Sequence, residues 1–231
     1  MDKKPIAIIM CVHNSGKYLQ IALDCIINRT QYPYKIILVE SESTDGTDEV
    51  CDYYAKTYDQ VEVYHTKKEG LVKAMNFGIM MAGDLDVYIT QDDVLHPRLF
   101  GRDWLQCLVE ASKLESCGIV TSILAGGISG TDYLAGLQWA GTWSLFIPRS
   151  TINKIGVFDE AYSPGMGDDI DYSYRVYKAG LRIYLANFWV DHHRSSEHFN
   201  ESQDLSKAHG EYFRKKFKLG EFANGITTTS N

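Results

Sequence analysis

Ile6 to Val12 is an unbroken apolar run of strand length, followed by the polar His13-Asn14-Ser15-Gly16. Tyr18, Leu19, Ala22, Leu23, Ile26 and Ile27 then recur at helical spacing. The order returns with Ile36 to Val39, a polar loop from Glu40 to Gly46, and an amphipathic segment near Thr47 to Tyr58. A third round comprises Val61 to His65 and a helix over Gly70 to Met81. The run Asp86 to Thr90 follows and ends in Gln91-Asp92-Asp93. Strands alternating with helices of this length predict βαβ units with right-handed crossovers. The expected fold class is α/β, a Rossmann-like, mainly parallel central sheet with flanking helices.

Beyond Asp93 the alternation weakens. A helix is expected over Trp104 to Leu114 and a strand over Gly118 to Leu124, with a flexible loop at Gly126 to Gly130. Trp139 to Ile147 reads as extended and Ile155 to Glu160 as a turn. Asp169 to Ala179 reads as a helix stopped by Gly180. A short basic helix is expected over Glu211 to Lys218, and a disordered tail at the end of the chain.

Two acids emerging together from a buried strand suit a cation, or else a solvated turn in which Asp caps a helix. The second island Asp168-Asp169-Ile170-Asp171 and the pair His192-His193 favour chemistry. In open α/β sheets ligands gather beyond the carboxyl ends of the strands, so Asn14, Glu40 and Ser41 can converge on one polar crevice. A dinucleotide site is not expected, because the first strand runs into Cys11-Val12-His13-Asn14-Ser15-Gly16 and not into spaced glycines.

Composition narrows the partners. With a formal charge of −7 and 45% hydrophobic residues among 231, the chain can bury a sizeable core but carries no basic footprint for duplex nucleic acid. An acidic protein that binds an anion has particular use for a bound metal. Five cysteines without CxxC spacing read as reduced and mostly buried, which suggests a cytoplasmic protein. No apolar stretch reaches the roughly 18 residues of a spanning helix, and the first strand leaves little room for a signal peptide. Membrane contact is therefore expected to be peripheral at most.

Several segments together resemble the GT-A glycosyltransferases, most closely the inverting family 2. They are the Cys-Val-His-Asn end of strand one, Val39 to Thr47, Gly70 to Gly78, Gln91-Asp92-Asp93, Gly156 to Glu160, and Asp168 to Asp171 leading to Arg175 and Gly180. The resemblance implies one domain over 1–231. Its nucleotide-sugar half would be 1–95, its acceptor and catalytic half 96–220, and its disordered tail 221–231. It places the nucleotide base against His13, Asn14, Glu40 and Ser41, although the family usually has Asp at Glu40 and Tyr at His13. Ser43, Thr44 and Asp45 read instead as a cap for the next helix.

The family's DxD metal motif stands here as Gln91-Asp92-Asp93, its first acid replaced. The resemblance makes Asp93 the ligand of Mn²⁺ or Mg²⁺ and turns Asp92 toward the ribose or donor sugar. His192 would complete the site, with His193 the competing assignment because strand alternation lets only one of them face it. Arg194 would meet the diphosphate, or form a surface ion pair. Asp169 is the expected catalytic base with Asp168 beside it, whereas Asp171 reads as the partner of Arg175 one helical turn on. Asn76 would steady the donor loop, Lys73 reads as an exposed lysine, and Trp139 or Trp143 would pack on an acceptor sugar. The implied activity is metal-dependent, inverting transfer of a sugar from a nucleoside-diphosphate donor to a hydroxyl acceptor. A non-catalytic sugar-nucleotide or glycan-binding module, or a nucleotidyltransferase, remains open at this point.

Overall fold

A computed structural model describes residues 3–124, 131–134, 137–193 and 203–219. Four parallel strands, β1 (Ile6–Val12), β2 (Tyr34–Ser41), β3 (Val61–Thr66) and β4 (Val87–Gln91), alternate with helices α1 (Gly16–Arg29), α2 (Thr47–Thr57) and α3 (Leu71–Met81). After a short β5 (Val94–Leu95) come α4 (Trp104–Ala111), β6 (Cys117–Leu124), β7 (Thr131–Leu134), β8 (Leu137–Ala140) and β9 (Ser144–Ile147). The chain closes with α5 (Arg149–Ile155), a 3₁₀ turn at Glu160–Tyr162, α6 (Asp168–Lys178), β10 (Arg182–His192) and α7 (Gln203–Phe217).

Eight strands form one sheet in the order β3-β2-β1-β4-β9-β6-β10-β5, and β7 and β8 form a separate hairpin. The α/β class expected from the patterning holds. The N-terminal strands are parallel, but β9 runs antiparallel to both β4 and β6, so the second half of the sheet is mixed.

Alternation along the strands builds two cores, one on each face. Ile6, Ile8, Met10, Ile36 and Leu38 face α1, α2 and α4, where they meet Leu19, Leu23, Tyr54, Trp104 and Leu108. Ala7, Ile9, Ile37 and Val39 face the opposite way, toward Val72, Met75 and Ile79 of α3 and Tyr172 and Val176 of α6. Burying each such aliphatic side chain contributes about 1.5–3 kcal/mol. Continuous apolar runs in β1 and β2 are thus explained by burial on both faces.

Several expectations need correction. The extended run over Trp139 to Ile147 is broken at Gly141–Trp143 between β8 and β9. A Cβ at Gly141 would collide with the Trp143 ring, so glycine lets the indole fold back over the backbone. Helix α5 precedes the expected turn and was not signalled by periodicity; its first N–H is held by Asp86, at 2.7 Å from Oδ1. Helix α7 starts at Gln203, eight residues before the expected Glu211. The loop at Gly126 to Gly130 and the tail 221–231 lie outside the described residues.

Candidate active site

The first two loops of the sheet interlock. Asn14 accepts from the Thr44 N–H through Oδ1 at 2.8 Å and donates its own N–H to Ser43 Oγ at 3.0 Å. Asp45 Oδ2 accepts from Gly16 N at 3.0 Å, its Oδ1 accepts from Thr47 N at 3.1 Å, and Thr47 Oγ1 accepts from Ser15 N at 2.9 Å. The start of α1 is therefore capped by the following loop. Asp45 accepts from the first N–H of α2, whereas Ser43 Oγ and the Thr44 N–H meet Asn14. Asn14 and Glu42 hold left-handed backbone, φ 48° and 50°, a strain that the surrounding hydrogen bonds sustain.

Glu40 ends β2 almost fully buried. Its Oε1 accepts from Ser43 N at 2.7 Å, and its Oε2 lies 2.9 Å from His65 Nδ1. Burial raises its pKa, but the hydrogen bonds from His65 and Ser43 outweigh burial and leave it below the usual carboxylate value. Ser41 is buried beside it, and its carbonyl contacts His13 Nδ1 at 2.6 Å.

Asp92 and Asp93 follow β4 and are both buried. Ser15 donates its hydroxyl to Asp92 Oδ2, which ties the first loop to the fourth. Asp93 Oδ1 lies 3.3 Å from His192 Nε2 at the end of β10. Alternation resolves the histidine pair: His192 faces Asp93, while His193 is exposed and 3.4 Å from Asp191. The Trp143 ring stacks near His192 with centroids 6.4 Å apart, and Trp139 meets Trp143 edge-on at 5.8 Å. The Trp143 Nε1 atom is buried with no hydrogen-bond partner among the described residues. Arg194 lies outside the described residues.

Asp168 and Asp169 open α6 behind Gly167, whose φ of 88° turns the chain into the helix. Asp168 is 4% exposed, and its Oδ2 has no hydrogen-bond partner among the described residues. Burial raises the pKa of both acids, and the charge of Asp168 further raises Asp169, against the pull of the helix N-terminus. Asp171 is fully buried, 2.7 Å from Arg175 Nε and 2.5 Å from Lys216 Nζ. The expected Arg175 pairing holds, but in the interior and with a second cation from α7. Lys216 also reaches Asp159 at 2.8 Å, and His209 Nδ1 reaches the Met166 carbonyl at 2.7 Å. Helix α7 thus clamps the start of α6.

Electrostatic coupling gathers these groups. The Cys11 thiol at the end of β1 is raised far above its usual pKa by burial and then by Asp92 and Asp168. Cys51 is pushed up to about 12 by burial and by Glu40, Asp52, Asp48 and Asp92. Asp92 thus acts on both thiols, on Cys11 together with Asp168 and on Cys51 together with Glu40. Asn76 is more remote in role: its amide exchanges hydrogen bonds with the Phe158 backbone at 2.9 and 3.0 Å and reaches Glu160 at 3.1 Å. Lys73 is exposed and 3.5 Å from Glu69. A cleft of about 580 Å³ lies along the outer face of α3 and Arg149, lined by Lys73, Asn76 and Glu160 and not by Glu40, Asp92, Asp93, Asp168 or Asp169.

Sequence reasoning missed Ser15, His65 and the α7 residues His209 and Lys216. Of these, His65 stands directly beside Glu40 in the parallel register of β2 and β3.

Among the described residues no three His, Cys, Asp or Glu side chains assemble a ready-made metal cage. Asp93 and His192 nevertheless fit as one chelating pair. Ligand atoms about 2.1 Å from an ion and about 100° apart are about 3.2 Å from each other, close to the observed 3.3 Å. A diphosphate would supply the remaining oxygens.

A sequence model described as "Glycosyl transferase family 2" matches residues 7–160. Glycosyltransferase GlyG of Streptococcus pneumoniae serotype 4 is 34% identical over 92 residues, which cover 39% of this chain and 31% of GlyG. Glycosyltransferase AglE of Haloferax volcanii is 22% identical over 241 residues, covering 94% of this chain and 72% of AglE. The fold is shared with the mannosyltransferase PcManGT from Pyrobaculum calidifontis, solved in complex with GDP-Man and Mn²⁺. That structure has a TM-score of 0.75 at 19% identity, over 96% of this chain and 66% of that one. The chain thus spans less than a third of GlyG and about two thirds of PcManGT.

Proposed function

The chain belongs to glycosyl transferase family 2, and from that premise we propose that it moves a sugar from a nucleoside-diphosphate sugar to a hydroxyl acceptor with inversion at the anomeric carbon. The observation that carries this reading is the set of acids Glu40 and Asp92-Asp93 at the carboxyl ends of parallel β2 and β4, with His192 beside Asp93 and with Asp168-Asp169 at the start of α6, where Asp168 and Asp92 both act on Cys11 at the end of β1. The complex of PcManGT with GDP-Man and Mn²⁺ supports a donor of this class and a divalent ion.

Each group then has a task. Glu40 and the Ser41 and Asn14 backbone edge receive the base, with the His13 ring beside them. Asp92, oriented by Ser15, accepts from donor hydroxyls. Asp93 and His192 hold Mn²⁺ or Mg²⁺, which when bound neutralises the departing diphosphate. Asp169 takes the acceptor proton as the acceptor oxygen bonds to the anomeric carbon and the bond to the diphosphate breaks on the opposite face. Its raised pKa suits a base that must release that proton again. Asp168 is too enclosed to meet a bulky acceptor, and its unpartnered oxygen keeps its neighbour's affinity for a proton high. Trp139 and Trp143 form an aromatic wall next to His192 for the acceptor sugar. Among the described residues no helix is long and apolar enough to cross a membrane.

The test is a panel of UDP-, GDP- and dTDP-sugars with Mn²⁺, read by release of nucleoside diphosphate. One donor is expected to be slowly hydrolysed even without acceptor. Tight donor binding with no turnover of any donor would instead establish a binding module.

A further inference from the structure

His65 has no part in the chemistry above, yet it is placed with care. The register of β2 and β3 sets it beside Glu40, and both ring nitrogens face carboxylates: Nδ1 is 2.9 Å from Glu40 Oε2, and Nε2 is 3.0 Å from Asp52 Oδ1. These two acids, one from β2 and one from α2, are the charged groups that meet the ring from the elements packed on β3. A neutral imidazole carries a single N–H, so it can satisfy only one of them and must turn a lone pair toward the other. The imidazolium satisfies both.

Glu40 gains most from this. Its side chain is 4% accessible, and Ser43 N–H holds its other oxygen at 2.7 Å. An ionised carboxylate so enclosed needs a cation or several donors to stay ionised. Resting on the function proposed above, we infer that Asp52 and His65 are positioning residues. They hold Glu40 as a fixed, ionised acceptor for a base with a ring N–H on its pairing edge (uracil, thymine or guanine), so that nucleoside-diphosphate binding weakens as His65 loses its proton. The two carboxylates hold that proton, the Glu40 bond first and Asp52 second, and raise the histidine above its ordinary pKa. Binding is therefore stronger on the acid side of the His65 titration and falls as pH rises through it.

The experiment measures dissociation constants of UDP and of GDP with Mn²⁺, from about pH 6 to about pH 9, by calorimetry. Wild type is compared with His65→Gln and Asp52→Asn. Asp52 is 66% exposed, so its variant keeps the fold. The wild-type constant is expected to rise about tenfold across the His65 titration, the effect of one hydrogen bond to a charged group. Asp52→Asn should move that transition to lower pH, and His65→Gln should bind weakly throughout and remove it. The His65 ring signals in the ligand-free protein should titrate above 6.5. Nucleotide binding with the same pH profile in all three proteins, or a ring that titrates at or below its ordinary value, overturns the inference alone. Failure of both nucleotides to bind at any pH overturns the proposed function as well.

Discussion

Glu40 at the end of β2 and Asp168 at the start of α6 are both buried, and Asp169 beside it is partly buried, yet the proton affinity of Glu40 moves in the opposite direction to theirs. Burial alone would raise all three. Glu40 escapes because two donors, the Ser43 N–H and His65, meet its two oxygens. Asp168 has one oxygen without a hydrogen-bond partner among the described residues, and Asp169 has the Asp168 charge for a neighbour. In the function proposed above, completing the Glu40 carboxylate would fix a binding surface in advance. Leaving the α6 carboxylates less complete would keep a proton-transfer site poised. On the proposed function, hydrogen-bond count would separate recognition at Glu40 from reaction at α6.

The largest effect should come from the reactive side. Asp169→Asn keeps size and polarity but cannot take a proton, so kcat should fall by roughly 10²–10⁴ while UDP or GDP affinity changes little. Such a split assigns the group to the transition state. An equal loss of nucleotide binding would erase the proposed division between the two regions. Asp93→Ala should act the other way, weakening Mn²⁺-dependent nucleotide binding by about ten- to a hundredfold. His192→Ala should follow it in direction, since the two side chains form one pair. A variant of Asp93 that binds nucleotide equally well with Mn²⁺ and with chelator would remove the ion from that pair.

The same division governs what could be read from sequence. Ile6–Val12 and the strand ending at Gln91 were legible because burial on both faces leaves a continuous apolar run, and polar loop residues mark where it stops. Glu40, Asp92 and Asp93 were legible for the same reason, as the first polar residues off each strand. The C-terminal half depends on partners distant in sequence. Helix α5 is held at its start by Asp86, and α7 by Lys216 against Asp159 and Asp171 and by Phe213 and Phe217 against Tyr174. No local period encodes such contacts. The choice between His192 and His193 likewise waited on β10, where alternation could be anchored by buried Phe188 and Val190. His65 was hidden because a lone histidine in a strand carries no signal until a register sets it against Glu40.

The smallest expected effect is also the sharpest test of the comparison, because it asks for opposite signs. Asp169 has a raised folded-state pKa, so its favourable contribution is complete below the unfolded carboxylate value and is lost as pH rises through the raised one. Above that point the ionised acid costs stability, and Asp169→Asn should raise Tm by about 2–4 °C, equivalent to ~1 kcal/mol. Glu40 has a lowered pKa, so its contribution is present above the unfolded value and disappears as pH falls through the lowered one. Glu40→Gln should therefore lower Tm by a comparable amount at neutral pH, and the deficit should close in acid. Thermal melts of both variants against wild type, from about pH 4 to about pH 9, measure this directly. Matching signs at alkaline pH would mean that the α6 acids are as well satisfied as Glu40, and that the reactive end of the molecule has been misplaced.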